Sequence, residues 1–234
     1  MGQELGYESL AITDINNTSA CLNFIRLAPK HNIKPIVGID FKNGARQMYV
    51  GIAKNNIGFQ ALNSFLSFHS HSKSTFPETA PSLDEVVFIY PFEEVLLQEK
   101  VLFGPNEYIG LNLDDLKKVR FSSLYKQKKK MVFMQAVTIR TKRDFNVHRL
   151  LRSIDKNTLL SKLEKKEQAS INDRMIPLES LKEVLKEFPF LYKNTERLVE
   201  ECAIHFDFYE DRKSQNKKRY GKTMQDDIAH IEQL

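Results

Sequence analysis

Leu5-Gly6-Tyr7-Glu8-Ser9-Leu10-Ala11-Ile12-Thr13-Asp14 runs through a glycine into a short apolar strand that ends on an acid. Ile33-Lys34-Pro35-Ile36-Val37-Gly38-Ile39-Asp40 repeats the pattern about one helix further on. In α/β folds, reactive side chains project from the carboxyl ends of strands. Asp14 and Asp40 therefore read as two carboxylates on one rim of a barrel or sheet. That is where a metal-dependent hydrolase would carry its ligands.

The rest of the first half extends this reading. Thr18 is expected to cap a helix whose apolar side carries Cys21, Phe24, Ile25 and Ala28, with Pro29 bending or ending it. Asn43-Gly44 signals a tight turn, so Gln47 to Ala53 is the predicted hairpin partner of strand 33–40. Lys54 to Gly58 leads into an amphipathic helix over 59–68, and the polar run from His69 to Pro81 is expected to be a surface loop. Strands are predicted at Val86–Tyr90, Glu107–Leu111 and Met131–Thr138, with short helices at Glu93–Gln98 and Asp114–Lys118. Strand and helix thus alternate about six times through short connections, which argues for an α/β barrel or a doubly wound sheet.

After residue 140 the pattern turns helical, at Arg143–Ile154, Ile176–Phe188 and Tyr192–Ala203. Ile204 to Phe208 alternates like a short strand. Residues 210–222 are charged and poor in large apolar groups, as in a linker, and a helical pattern resumes at Met224. Met1 to Leu5 look like the last turn of a helix. Both ends therefore read as cut through elements, and the chain is expected to be a piece of a longer one.

With 234 residues and 41% hydrophobic content the chain can bury a sizeable core. No apolar run approaches the roughly 20 residues of a membrane span, and no secretory signal is visible. Cys21 and Cys202 are the only two cysteines. Both fall in amphipathic helical patterns, which suits reduced thiols in a cytoplasmic protein. The net charge is +5, with much of the excess at Lys126 to Lys130 and Arg212 to Lys222. Lys126, Lys128, Lys129 and Lys130 are candidates for contact with a nucleic-acid backbone; the bland alternative is a solvated loop.

Other candidates have ordinary readings. His69-Ser70-His71 sits in the expected polar loop and reads as solvated. His148 lies among apolar residues on a helix and reads as a hydrogen-bonded core histidine. His31 and His205 have no acidic or cysteine partner at ligand spacing. Asp14 either caps the turn after it, through a bond to Asn16 or Asn17, or keeps a metal contact. No Ser/His/Asp arrangement, phosphate-cradling glycine loop or zinc-finger spacing occurs.

Three segments, Leu10–Asp14, Ile33–Phe41 and Ile52-Ala53-Lys54-Asn55, together resemble the polymerase and histidinol phosphatase (PHP) domain family. The resemblance is to those domains at the N-terminus of bacterial DnaE-type DNA polymerase III alpha subunits. Asn146–Ile154 is similar to that family's Ala-His-Glu-Val-Leu-Leu-x-Ile helix, and Asn194-Thr195 to Cys202 to its Asn-Thr-x-x-Ile-Ala-x-x-Cys helix. The resemblance implies a distorted (β/α)7-type barrel lacking its first strand, over residues 1–160. A helical continuation at 161–208 would follow, then at 209–234 a linker and the start of a helix leading to the polymerase palm.

Active members bind up to three metals at one barrel mouth and hydrolyse phosphoesters, in some polymerases as a 3′–5′ exonuclease. Carried onto this chain, the first His-x-His would precede Met1. Thr-Asp-His becomes Thr13-Asp14-Ile15, and the expected Glu becomes Asp40. The next His falls near Met48, and the late Asp-x-His falls at Thr138-Ile139-Arg140. Asp14 and Asp40 remain as vestigial metal ligands, while Ile15, Met48, Thr138 and Arg140 mark degenerate positions. The resemblance therefore implies a non-catalytic segment of a DNA polymerase III alpha chain that supports the palm and thumb and meets DNA through its parent. No cofactor is expected; zinc, manganese or magnesium would bind only if the site were intact. A missing first strand would leave an edge open to strand-exchanged self-association. The enzymatic alternative is a metal-dependent phosphoesterase or exonuclease of the same superfamily. A stand-alone adaptor module is a third reading.

Overall fold

A computed structural model describes residues 2–98, 103–208, 221 and 223–232. Six strands form one sheet in the order β1-β2-β3-β4-β5-β6, the order of the sequence, and the sheet curls into half a barrel. β1 (Ser9–Ile15) lies parallel to β2 (Lys34–Asn43), connected through α1 (Cys21–Leu27). Pro29 cannot continue α1, and the chain tightens into a 3-10 turn over Ala28–His31, closed by Asn32 in the left-handed region. β2 turns through Gly44 (φ +63°) into antiparallel β3 (Arg46–Ala53), as the Asn-Gly signal predicts.

β4 (Val86–Pro91) pairs antiparallel with β3, and β5 (Glu107–Leu111) and β6 (Met131–Phe133) follow in parallel. Helices α2 (Asn56–Ser72), α3 (Phe92–Leu97) and α4 (Asp115–Val119) fill the connections. α5 (Lys142–Asp155), α6 (Leu178–Leu185), α7 (Pro189–Glu201) and α8 (Met224–Glu232) make up the helical extension.

β2 to β6 are apolar on both faces, and their residues serve two cores. Val37, Ile39, Phe41, Tyr49, Phe88 and Tyr90 face the larger core, with Cys21 and Ile25 of α1 and Phe59 and Leu62 of α2. Ile36, Val50, Ile52, Val87, Ile89 and Val132 face the smaller one. α7 packs along β6 and reaches both, with Leu191 in the first core and Leu198 in the second. A Thr195 hydroxyl takes the Phe133 N–H (2.7 Å), so a side chain meets β6 where another strand would pair.

Several local expectations change. α1 has no side-chain cap; the Thr18 hydroxyl instead donates to Asn63 Oδ1 (2.7 Å) and ties α1 to α2. α2 runs to Ser72, so His69-Ser70-His71 is helical and not part of a loop. His69 packs on Phe65 and Phe76, which explains why the polar triplet continues the helix. β6 ends at Phe133, well before Thr138, because the backbone N–H groups of Thr138 and Ile139 turn to the Asp173 carbonyl. Ile204 to Phe208 forms no strand: Ala203 N–H bonds to Lys54 and His205 N–H to Asn56. Residues 3–5 form a 3-10 turn. Most of the expected linker at 210–222, with its basic run, lies outside the described residues.

Candidate functional site

The β1–β2 register decides which side chains share a surface. Asp14 is level with Ile39, and Ile15 is level with Asp40. Neighbouring residues in one register row point to the same face of a sheet, and the next row points to the other. Asp14 therefore lies on the larger core's side. There its charge and, more strongly, burial push the Cys21 thiol up to about 11. Asp40 lies on the side of Ile36, Val50 and Ile52. The two acids expected on one rim are not brought together. The side chain level with Asp40 is Ile15, which is 57% exposed.

Asp40 is itself buried, at 8% exposure, and both of its oxygens are taken. Gln47 Nε2 donates to Oδ1 at 2.7 Å, and Lys42 Nζ lies 3.3 Å from Oδ2. Burial raises the carboxyl above its ordinary range, while Lys42 and Gln47 pull it back down. Lys42 reaches Asp40 because residues i and i+2 of a strand share a face. Gln47 reaches it through an irregularity: Phe41 pairs with Tyr49, but Lys42 pairs with Gln47, so Met48 is the extra residue of a bulge. The bulge turns Met48 into the larger core at 0% exposure and swings Gln47 toward Asp40.

Lys42 is also fixed from behind. Asn16 Oδ1 accepts from the Lys42 N–H (2.9 Å), and Asn16 Nδ2 donates to the Lys42 carbonyl (2.9 Å). Asn16 holds a left-handed φ of +48° in doing so. Among the described residues, Asp14 makes no capping bond to Asn16 or Asn17. Asn17 Oδ1 instead takes the Ser19 N–H (2.6 Å).

A second acid, Asp173, feels both Lys42 and Asp114. Its Oδ2 accepts from Ser170 N–H (2.8 Å), and Asn172 beside it donates to Asp114 (3.0 Å). Burial raises the Asp173 carboxyl, and the Ser170 N–H and Lys42 oppose that. His148 Nε2 accepts from the Ala169 N–H (3.0 Å), so it clamps the 164–173 segment onto α5 as a neutral ring. Thr138 meets Asp173 through its backbone, and Arg140 is exposed ahead of α5, its charge acting on Asp144.

The donor set does not suit a divalent ion. Around Asp40 stand an ammonium, an amide and a hydrocarbon. No group of three or more His, Cys, Asp or Glu side chains gathers as a metal site among the described residues. Lys42, Gln47 and Asp173 were not singled out by the sequence. For Lys42, the i, i+2 spacing from Asp40 was the signal; for Gln47, the bulge hid it.

The lysine run lies in a 3-10 segment, Ser123–Lys130. Lys130 donates to the carbonyls of Gly104 and Pro105, and Lys128 sits 4.2 Å over the Tyr125 ring. Lys126 and Lys129 are exposed. No helix among the described residues is long and apolar enough to cross a membrane.

The PHP domain family matches residues 1–131, more than half of this sequence, and the chain belongs to that family. The DNA polymerase III subunit alpha of Ureaplasma parvum serovar 3 is 24% identical over 131 residues. That stretch is 56% of this chain and 13% of the relative, so the chain matches only a small part of the relative's length.

Proposed function

We propose that this PHP domain is a non-catalytic structural segment of a bacterial DNA polymerase III alpha-type chain, braced against the polymerase palm and thumb. On this reading it serves replication or error-prone repair synthesis in the cytoplasm. The palm supplies the carboxylates that transfer nucleotidyl groups, and DNA is met through the parent chain.

The observation that carries the bracing role is the inverted amphipathicity of α5. Val147, Leu150, Leu151 and Ile154, at i, i+3, i+4 and i+7, are all exposed. The other side of α5 is tied to the 164–170 segment by polar contacts. His148 takes the Ala169 N–H, Arg149 bonds Gln168, and Arg152 pairs with Glu167. A helix that turns its apolar stripe to water offers a surface for another polypeptide. Most of the polymerase relative lies beyond the matched stretch, which supports a large covalent neighbour as the occupant.

The non-catalytic part rests on the chemistry around Asp40, where no imidazole stands among the described residues. β1 is an edge strand among the described residues, which supports strand-exchanged self-association of the isolated domain.

The test is hydrogen exchange on a polymerase III alpha chain carrying this domain, with Leu151→Glu and Ile154→Glu introduced together. Palm or thumb amides should lose protection while the isolated domain keeps its stability. Unchanged palm and thumb protection would overturn the bracing role.

A further inference from the structure

The acid-bearing side of the sheet carries its own positive charge, set against Asp40. Asp40 is buried, and a buried carboxylate persists only when its charge and lone pairs are met. Lys42 Nζ meets one oxygen at 3.3 Å and Gln47 Nε2 the other at 2.7 Å. The Met48 bulge aims Gln47. The Asn16 amide pins the Lys42 backbone through both of its polar groups, from a left-handed backbone that asparagine tolerates better than most non-glycine residues.

From this geometry we infer that Lys42 is a built-in counter-cation: it holds Asp40 in the role a divalent ion would otherwise take. The disagreement with a metal-binding reading is thus specific. The acid is kept, but a covalently attached ammonium sits against it. Ile15, level with Asp40, offers a metal no lone pair. An incoming divalent ion would have to displace a like charge tethered two residues along the same strand. The consequence is a fold whose stability at this site does not depend on metal supply.

The inference rests on the non-catalytic reading only in taking this surface as metal-free; the coupling between Lys42 and Asp40 stands or falls separately. The test is a thermal-unfolding cycle on the 234-residue chain. It compares wild type, Lys42→Met, Asp40→Asn and the double variant, each with EDTA, with Mn²⁺ and with Zn²⁺. Lys42→Met keeps the apolar stem but leaves a buried carboxylate unpaired, and should lower the midpoint by about 5 °C or more. Adding Asp40→Asn should recover most of that loss, which a mere packing role for the lysine would not produce.

Should Lys42→Met fail to fold, folding of the double variant is the expected rescue, and its failure to fold would overturn the inference. So would a Lys42→Met protein as stable as wild type, or a double variant no better than the single. A wild-type midpoint raised by Mn²⁺ or Zn²⁺ and not raised in Asp40→Asn would overturn it too. Phosphoester hydrolysis by wild type with the coupling intact would instead sink the non-catalytic reading and leave this inference standing.

Discussion

Ile15, not Asp14, is the neighbour of Asp40 across the β1–β2 ladder, and Asp14 and Asp40 lie on opposite faces of the sheet. The two acids should therefore behave as unrelated residues. Asp14→Asn should change unfolding free energy by no more than about 0.5 kcal/mol, since its carboxylate makes no hydrogen bond among the described residues. Asp40→Ala removes the partner of both Lys42 and Gln47 and should cost about 1–3 kcal/mol. The double variant should cost the sum of the two. Urea unfolding monitored by circular dichroism checks all three.

Tyr49 is completely buried against Phe41, Phe88 and Tyr90, and its hydroxyl has no hydrogen-bond partner among the described residues. Burial also pushes its phenol well above the ordinary range. A buried hydroxyl without a partner is a net cost that its removal relieves. Tyr49→Phe should therefore stabilise the chain by about 1 kcal/mol. A loss of stability in urea would show that the hydroxyl has a partner in solution.

The Ala-Lys-Asn element earns its place through α2. Asn55 Oδ1 accepts from the N–H groups of Ile57 and Gly58, and its Nδ2 donates to Glu85 (2.7 Å). Asn55→Ala should cost about 1–2 kcal/mol through loss of the cap. A Cβ on Gly58 would stand 2.0 Å from the Glu85 carbonyl oxygen, a backbone atom with no rotamer to yield. Gly58→Ala should therefore destabilise by about 3 kcal/mol or more, despite alanine's better helix propensity. A Gly58→Ala protein as stable as wild type would contradict this packing of α2 on the β4 approach.

His148 supplies a pH dependence of known sign. Its ring accepts the Ala169 N–H and so is neutral in the fold. Burial, then Arg152, lower its pKa below the ordinary 6.5, while Asp173 works the other way. A group whose folded pKa is depressed below its unfolded value favours folding above the unfolded pKa when it is a base. The stability is then lost as pH falls from 6.5 toward the folded pKa. Acidifying from pH 7.5 should weaken Ala169 amide protection as the ring gains its proton. A His148→Gln chain should lack that acid-dependent step. Two-dimensional NMR of the ring and the amide checks both.

Much of the fold can be read from the residues. The apolar runs at 34–43, 46–53, 86–91 and 107–111 are strands because they fill cores on both sides of the sheet, and 9–15 pairs along the edge of β2. Tertiary contacts overrode the local signals elsewhere. The polar triplet at 69–71 stays helical because His69 has aromatic neighbours, and strand 131–138 is cut short by the Asp173 carbonyl. At the candidate site, the acidic identity of Asp40 was legible. That Asp14 faces away follows from strand parity, which no single-strand motif records. Gln47 could be found only through the bulge, whose one-residue shift exchanges the faces of Gln47 and Met48. The apolar stripe of α5 is visible in the spacing of Val147, Leu150, Leu151 and Ile154. Which way it points depends on the bonds made by His148 and Arg152.

The central claim is that this domain keeps the PHP scaffold without phosphoester chemistry. Its most direct test uses untagged chain incubated with Mn²⁺ or Zn²⁺, then desalted. Metal content is read by mass spectrometry, and the same sample is assayed on a single-stranded oligonucleotide and an aryl phosphate diester. The account predicts substoichiometric metal and no turnover above the protein-free rate. Stoichiometric metal together with hydrolysis that disappears in Asp40→Ala would contradict it.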